Sequence, residues 1–142
     1  MMKQFFATLM GSEEVPPVQT SATGDTVFKV SDDQMTMRFR LIVNNIANMT
    51  VAHIHLGRRG ENGPIVVFLF GPVDPAITVS QGIVQGTLSQ RNLVGPLEGQ
   101  PFSALLNEMQ RGNTYVNVHT VQNPGGEIRG QISRSRTATN WA

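Results

Sequence analysis

The chain has 142 residues, 39% hydrophobic and 15% charged, with eleven basic side chains against ten acidic ones and no cysteine. That length fits one domain around a single apolar core, and no apolar run approaches the ~18–20 residues of a membrane-spanning helix. A net charge of +1 gives no electrostatic case for nucleic acid or an anionic membrane, and the lack of cysteine excludes disulfide scaffolds, cysteine–zinc sites, iron–sulfur clusters and thiol nucleophiles.

Gly and Pro, spread along the chain, punctuate short alternating runs, the pattern of an all-β sandwich or barrel. Phe5 to Met10 alternates as a first strand and lacks the apolar length of a secretory leader, so the default expectation is cytoplasmic unless a leader has been removed. A loop with Pro16 and Pro17 precedes a strand from Gly24 to Val30, and Ser31 to Gln34 reads as a turn. From Met35 to Val43, the residues Met35, Met37, Phe39, Leu41 and Val43 share one face, and Asn44-Asn45 is expected to break the strand. Val51 to Leu56 is a short strand, and Gly57 to Pro64 a long turn. The unbroken apolar run Ile65 to Phe70 suits a central strand covered on both faces. A loop from Gly71 to Thr78 leads to a strand over Gly82 to Leu88. Ser103 to Gly112 is the one helix candidate, with Ser103 as cap, Arg111 near the negative end and Gly112 as left-handed stop. Thr114 to Thr120 and Glu127 to Ser133 close the domain around a Pro124-Gly125-Gly126 turn, before a frayed tail from Arg134 to Ala142. The predicted core contains Met37, Phe39, Leu41, Ile54, Val66, Phe68, Val116, Val118 and Ile128.

The chain has three histidines. In a strand, residues i and i+2 point to one face, so His53 and His55 project together while Ala52, Ile54 and Leu56 turn the other way. On the later strand, Tyr115, Asn117 and His119 share the face opposite Val116 and Val118. The apolar sets claim the core, so all three imidazoles are expected on non-core faces. Their matched parity points to a shared metal site, since His-x-His on a strand can reach one ion ~2.0–2.1 Å away. The competing reading is three unrelated surface histidines. An all-imidazole set suits copper first and zinc second, and three ligands leave a position open. Asn117, Glu127 and Arg129 are candidates to orient a ligand or a bound anion. Such binding should weaken as pH falls through ~6.5, and the ion should not be needed for folding.

Other chemistries find little support. No Gly-x-Ser-x-Gly frames a serine, and Gly57 to Gly63 lacks the Lys-Ser/Thr of a phosphate loop. Asn48-Met49-Thr50 matches a glycosylation acceptor, which matters only in a secretory protein.

Several stretches together resemble the CHRD domain, the module named after chordin. They are Phe6 to Pro17, Ala52-His53-Ile54-His55-Leu56-Gly57 with Asn62-Gly63-Pro64-Ile65-Val66, Gly82 to Leu88, Tyr115 to Thr120, and Pro124 to Ile132. The resemblance runs from about Phe5 to Ser133. It implies an immunoglobulin-like antiparallel β-sandwich or barrel in a family that is often extracellular and has no agreed enzymatic activity. A second similarity is to the Cu,Zn superoxide dismutase sandwich, where a strand His-x-His and a histidine on a late strand bind copper. His53, His55 and His119 match those positions in order and parity, but no bridging histidine, zinc-site histidine or disulfide is present.

The expectation is therefore one immunoglobulin-like, Greek-key β-sandwich of CHRD type with one short helix, over residues 5–133, followed by a tail over 134–142. Its function is read as metal binding (copper, then zinc) through His53, His55 and His119, the enzymatic version being superoxide- or peroxide-related redox chemistry. The alternative is a non-enzymatic structural or interaction module with no metal. Partners are a protein or a second copy of the chain, not nucleic acid, and no membrane span is expected.

Overall fold

A computed structural model of the chain describes residues 3–134. Seven antiparallel strands and one short helix make up most of it: β1 (Gln4–Met10), β2 (Thr23–Val30), β3 (Thr36–Leu56), β4 (Ile65–Phe70), β5 (Ile77–Ser89), α1 (Phe102–Gln110), β6 (Thr114–Thr120) and β7 (Ile128–Gln131). The all-β antiparallel expectation with one helix is met. The tail expected over 134–142 lies, beyond Arg134 itself, outside the described residues.

The strands do not divide into two separate sheets. They run in the order β2-β1-β7-β6-β3-β4, and a further β2–β3 pairing closes five of them into a ring. The closure depends on β3, which is 21 residues long and takes part twice. Its first half pairs with β2 and β5, and its second half with β4 and β6. Asn44-Asn45 therefore bends the strand instead of ending it. Asn45 and Asn48 adopt left-handed φ values of 58° and 57°, which Asn tolerates better than most residues. Register shifts against β5 and β6 fall in the same stretch. The buried positions step by two through Met37, Phe39, Leu41 and Val43, then by three through Ile46, Met49 and Ala52. Each step of three hands the core face to the opposite parity, as an inserted residue does in a bulge.

Of the predicted core residues, all but Phe68 are buried. Phe68 is 44% exposed because β4 is not a central strand: it ends the sheet, pairs with β3 as its one strand neighbour, meets the chain at Leu93 through a single bridge from Val67, and turns one face outward. β5 begins at Ile77, five residues before the expected Gly82. Helix α1 buries Phe102, Leu105, Leu106 and Met109, a spacing of three, one and three that makes one helical stripe joined to the barrel core. Ser103 is not its cap. Pro101 occupies that position without a side-chain bond, since its missing N–H costs nothing at a helix start. Gly112 does take the left-handed stop, at φ 71°.

Candidate functional site

Strands β3 and β6 lie side by side, with Val51 opposite His119, His53 opposite Asn117 and His55 opposite Tyr115. His119 is thus diagonal to His53, a relation close enough for long side chains to meet. The parity argument and this register bring His53, His55 and His119 together, and one ring nitrogen from each lies within 4.8 Å of the others. Their side is not open to solvent, however. His53, His55 and His119 are 4%, 7% and 9% exposed. They lie off the apolar core, as expected, but under a roof that strand parity could not reveal.

Three connecting segments build that roof. In the Gly57–Pro64 connection, Gly63 accepts a hydrogen bond from His55 Nδ1 at 2.9 Å and donates its own N–H to the Tyr115 hydroxyl at 3.0 Å. Gly63 must be glycine, because a Cβ there would overlap the Leu56 carbonyl oxygen. In the β6–β7 turn, the Pro124 carbonyl accepts from His119 Nδ1 at 2.8 Å. The segment after β1 brings in Glu14, whose carboxylate accepts from Asn117 Nδ2. Gly126, at φ 125°, leaves space there; a Cβ would lie 2.6 Å from Glu14 Oε2.

A carbonyl oxygen cannot donate, so the Nδ1 atoms of His55 and His119 carry the protons and their Nε2 atoms hold lone pairs. His53 Nδ1 lies 3.2 Å from His119 Nε2, so His53 is the donor in that contact. His55 Nε2 is buried with no hydrogen-bond partner, as is Asn117 Oδ1. An orphaned lone pair in a buried site costs ~1–3 kcal/mol, so a site that keeps one calls for a reason.

Burial sets the charge state of the cluster. Desolvation, helped by the neighbouring His119 and His55, pulls the His53 pKa down to about 4. Desolvation also takes His55 to about 4, against the bond to Gly63 and with help from His119 and Arg129. His119 is lowered for the same first reason. All three rings are neutral at pH 7 and present unprotonated nitrogens.

The three candidate orienting residues are buried too. Arg129 is 1% exposed, and its guanidinium donates to the carbonyls of Arg58 and Glu61 and to Asn62 Oδ1. It sits 3.5 Å over the centre of the Tyr115 ring, which stacks on His55 at 4.7 Å and 5°. Arg129 thus clamps the Gly57–Pro64 connection and backs the His55 ring through Tyr115. Glu127 accepts from Thr20, Thr120, Gln122 and Asn123, which fixes the turn that carries Pro124. Burial opposes its charge, but those four hydrogen bonds together hold its pKa below the usual carboxylate value.

Sequence reasoning missed Glu14. Burial raises its pKa to about 7, against the pull of Arg129 and the Asn117 bond. Nothing local in Glu13-Glu14-Val15-Pro16-Pro17 marks the second glutamate as the buried one. Tyr115 was signalled by its shared parity with Asn117 and His119.

The class of protein is a small antiparallel β domain closed through one long strand, with a buried histidine cluster under its loops. The chain matches the CHRD domain family over residues 5–132, and it belongs to that family. It is 32% identical over 119 residues to chordin from Danio rerio. The match covers 82% of this chain and 12% of that protein.

Proposed function

We propose that this chain is a CHRD module that holds one transition metal ion through His53 Nδ1, His55 Nε2 and His119 Nε2, the proton that His53 Nδ1 donates in the metal-free pair moving to its Nε2 when the ion binds. The single observation that carries this is the buried, unpartnered lone pair of His55 Nε2 beside two other imidazole nitrogens. Two ligands on a tetrahedral ion with ~2.0–2.1 Å bonds stand ~3.3 Å apart. The His53–His119 pair, at 3.2 Å, already has that spacing. Only His55 has to move inward. The carbonyls of Gly63 and Pro124 orient two of the rings, as outer hydrogen bonds commonly do for metal-bound histidine. Copper is the first candidate and zinc the second, since neutral imidazole suits both. A bound ion would supply Lewis acidity or, as copper, redox chemistry of the superoxide or peroxide type at its open position.

A second reading has direct support from family membership: a non-enzymatic structural or interaction module without a metal. It agrees with the likeness to chordin, needs no ion, and treats the His53–His119 hydrogen bond as the purpose of the pair. Of the two, the comparisons favour this plainer module. An extracellular setting also follows more naturally from the family than the cytoplasmic default. Among the described residues, no helix is long and apolar enough to cross a membrane.

Elemental analysis of the purified protein, followed by zinc and copper titrations of the wild type, His55→Ala and His119→Ala, separates the readings. Stoichiometric binding lost in both variants supports the metal centre. No binding, or binding equal in all three proteins, leaves the interaction module.

A further inference from the structure

Strand β5 covers Ile77 to Ser89, thirteen residues without a charged side chain or a proline. It pairs with β3 alone. Among the described residues, no backbone group between Ile77 and Leu88 bonds to any other strand, so its outer edge offers a row of free N–H and C=O groups. Natural proteins usually blunt such an edge with lysine, proline, short length or a covering loop. The other end of the sheet follows that rule, since β4 has only six residues and is flanked by Pro64 and Pro72. β5 does not.

The outward side chains of β5 also have a pattern. Ile83 sits at the midpoint of the strand and is 58% exposed. Gln81 and Gln85 lie two residues to either side on the same face, and both are exposed. An isologous two-fold contact needs a surface that matches itself. Antiparallel pairing of two β5 strands about Ile83 sets Ile83 of one copy against Ile83 of the other. It also places Gln81 opposite Gln85 and Gln85 opposite Gln81. The exposed isoleucines then bury each other, and Gln81, whose Nε2 already donates to Asn44 Oδ1 at 2.9 Å, keeps its carbonyl oxygen and second N–H for Gln85 of the other copy.

We propose that the outer edge of β5 is a self-association surface, and that a second copy of this chain pairs with it antiparallel about Ile83. The charges permit this. The nearest cations on that face, Arg38 and Arg40, lie on β3, one strand in from the edge. Across the joined sheet the two β3 strands stand three strand spacings apart, ~14 Å, beyond the ~8 Å Debye length at physiological salt. The proposal is independent of the histidine cluster.

The lack of cysteine gives a clean test. Antiparallel partners have Cα atoms ~4.5–5.5 Å apart, within the range a disulfide spans. With diamide as oxidant, Ile83→Cys should form a covalent dimer rapidly, while Val121→Cys, 62% exposed and joined through Asn48 to the Ile77 end of β5, is carried to opposite ends of the paired strands and should not. In sedimentation velocity the wild type should show concentration-dependent doubling of mass. Ile83→Lys should weaken association at least tenfold, with an unchanged melting temperature at concentrations where the wild type is monomeric, because the side chain there faces solvent. A wild type that stays monomeric to millimolar concentration overturns the proposal and leaves the edge to an extended segment of another protein. Equal cross-linking of the two cysteine variants, or association unaffected by Ile83→Lys, overturns it as well.

Discussion

Replacing Glu14 by Gln should change how stability depends on pH, by an amount that follows from its burial. Glu14 is 4% exposed and keeps its proton in the folded state up to about pH 7, whereas the unfolded chain releases it near the ordinary glutamate value of 4.5. Between those values the folded state binds more protons than the unfolded one. The Glu14 contribution to stability is therefore full below pH 4.5 and is lost as pH rises through 7, at up to ~1.36 kcal/mol per pH unit. Integrated from pH 5 to pH 7, the loss is about 2 kcal/mol. His53 and His55 act in the opposite sense. Their folded pKa values of about 4 lie below the ordinary histidine value of 6.5, so their contribution is full above 6.5 and is lost as pH falls toward 4. The two effects partly cancel in the wild type and flatten its profile. Glu14→Gln mimics the neutral acid and removes only the carboxyl part. Urea unfolding of metal-free protein at pH 5, 6 and 7 should show the variant gaining about 2 kcal/mol relative to wild type between pH 5 and pH 7. A constant difference between the two proteins across that range would mean that Glu14 is ionised at neutral pH, and the account of the buried network would fail.

Gly63→Ala should destabilise the fold by ~1–3 kcal/mol and loosen His55, because the Gly57–Pro64 connection must shift and the bonds to His55 Nδ1 and the Tyr115 hydroxyl are lost; unchanged unfolding and an unchanged His55 imidazole resonance would contradict this. In metal-free protein, His53 and His55 should remain neutral at pH 5.5 by NMR, so proton competition with an ion begins well below the ~6.5 expected of exposed histidine; titration of both near 6.5 would show that the cluster is solvated. If the protein purifies with a metal, chelation should lower the melting temperature yet leave a cooperative β-type transition, since mass action adds ~2.7 kcal/mol at a hundredfold excess over Kd and the core is separate from the rings; loss of the β circular-dichroism signal at room temperature would make the ion structural.

What the sequence determined by itself was local. A strand period of two is written in consecutive residues, so the pairing of His53 with His55, the shared face of Tyr115, Asn117 and His119, and most of the core could be read directly. The left-handed stop at Gly112 was legible for the same reason. The tertiary structure decided everything that depends on which strand lies beside which. The β3–β6 register, which turns matched parity into a cluster, is set by the burial of Ile54, Val116 and Val118 far apart in the chain. Phe68 looked like core because an apolar run carries no mark of its place in a sheet, and only the position of β4 at the sheet's end exposes it. Asn44-Asn45 looked like a stop because Asn is poorly suited to strands, yet β5, which pairs with β3 from Thr36 to Met49, carries it through the bend. The burial of the histidines, and with it their lowered pKa values, comes from loops anchored by Arg129, Glu127 and Glu14. Desolvation is a sum over everything packed around a group, and no single stretch of sequence contains that sum.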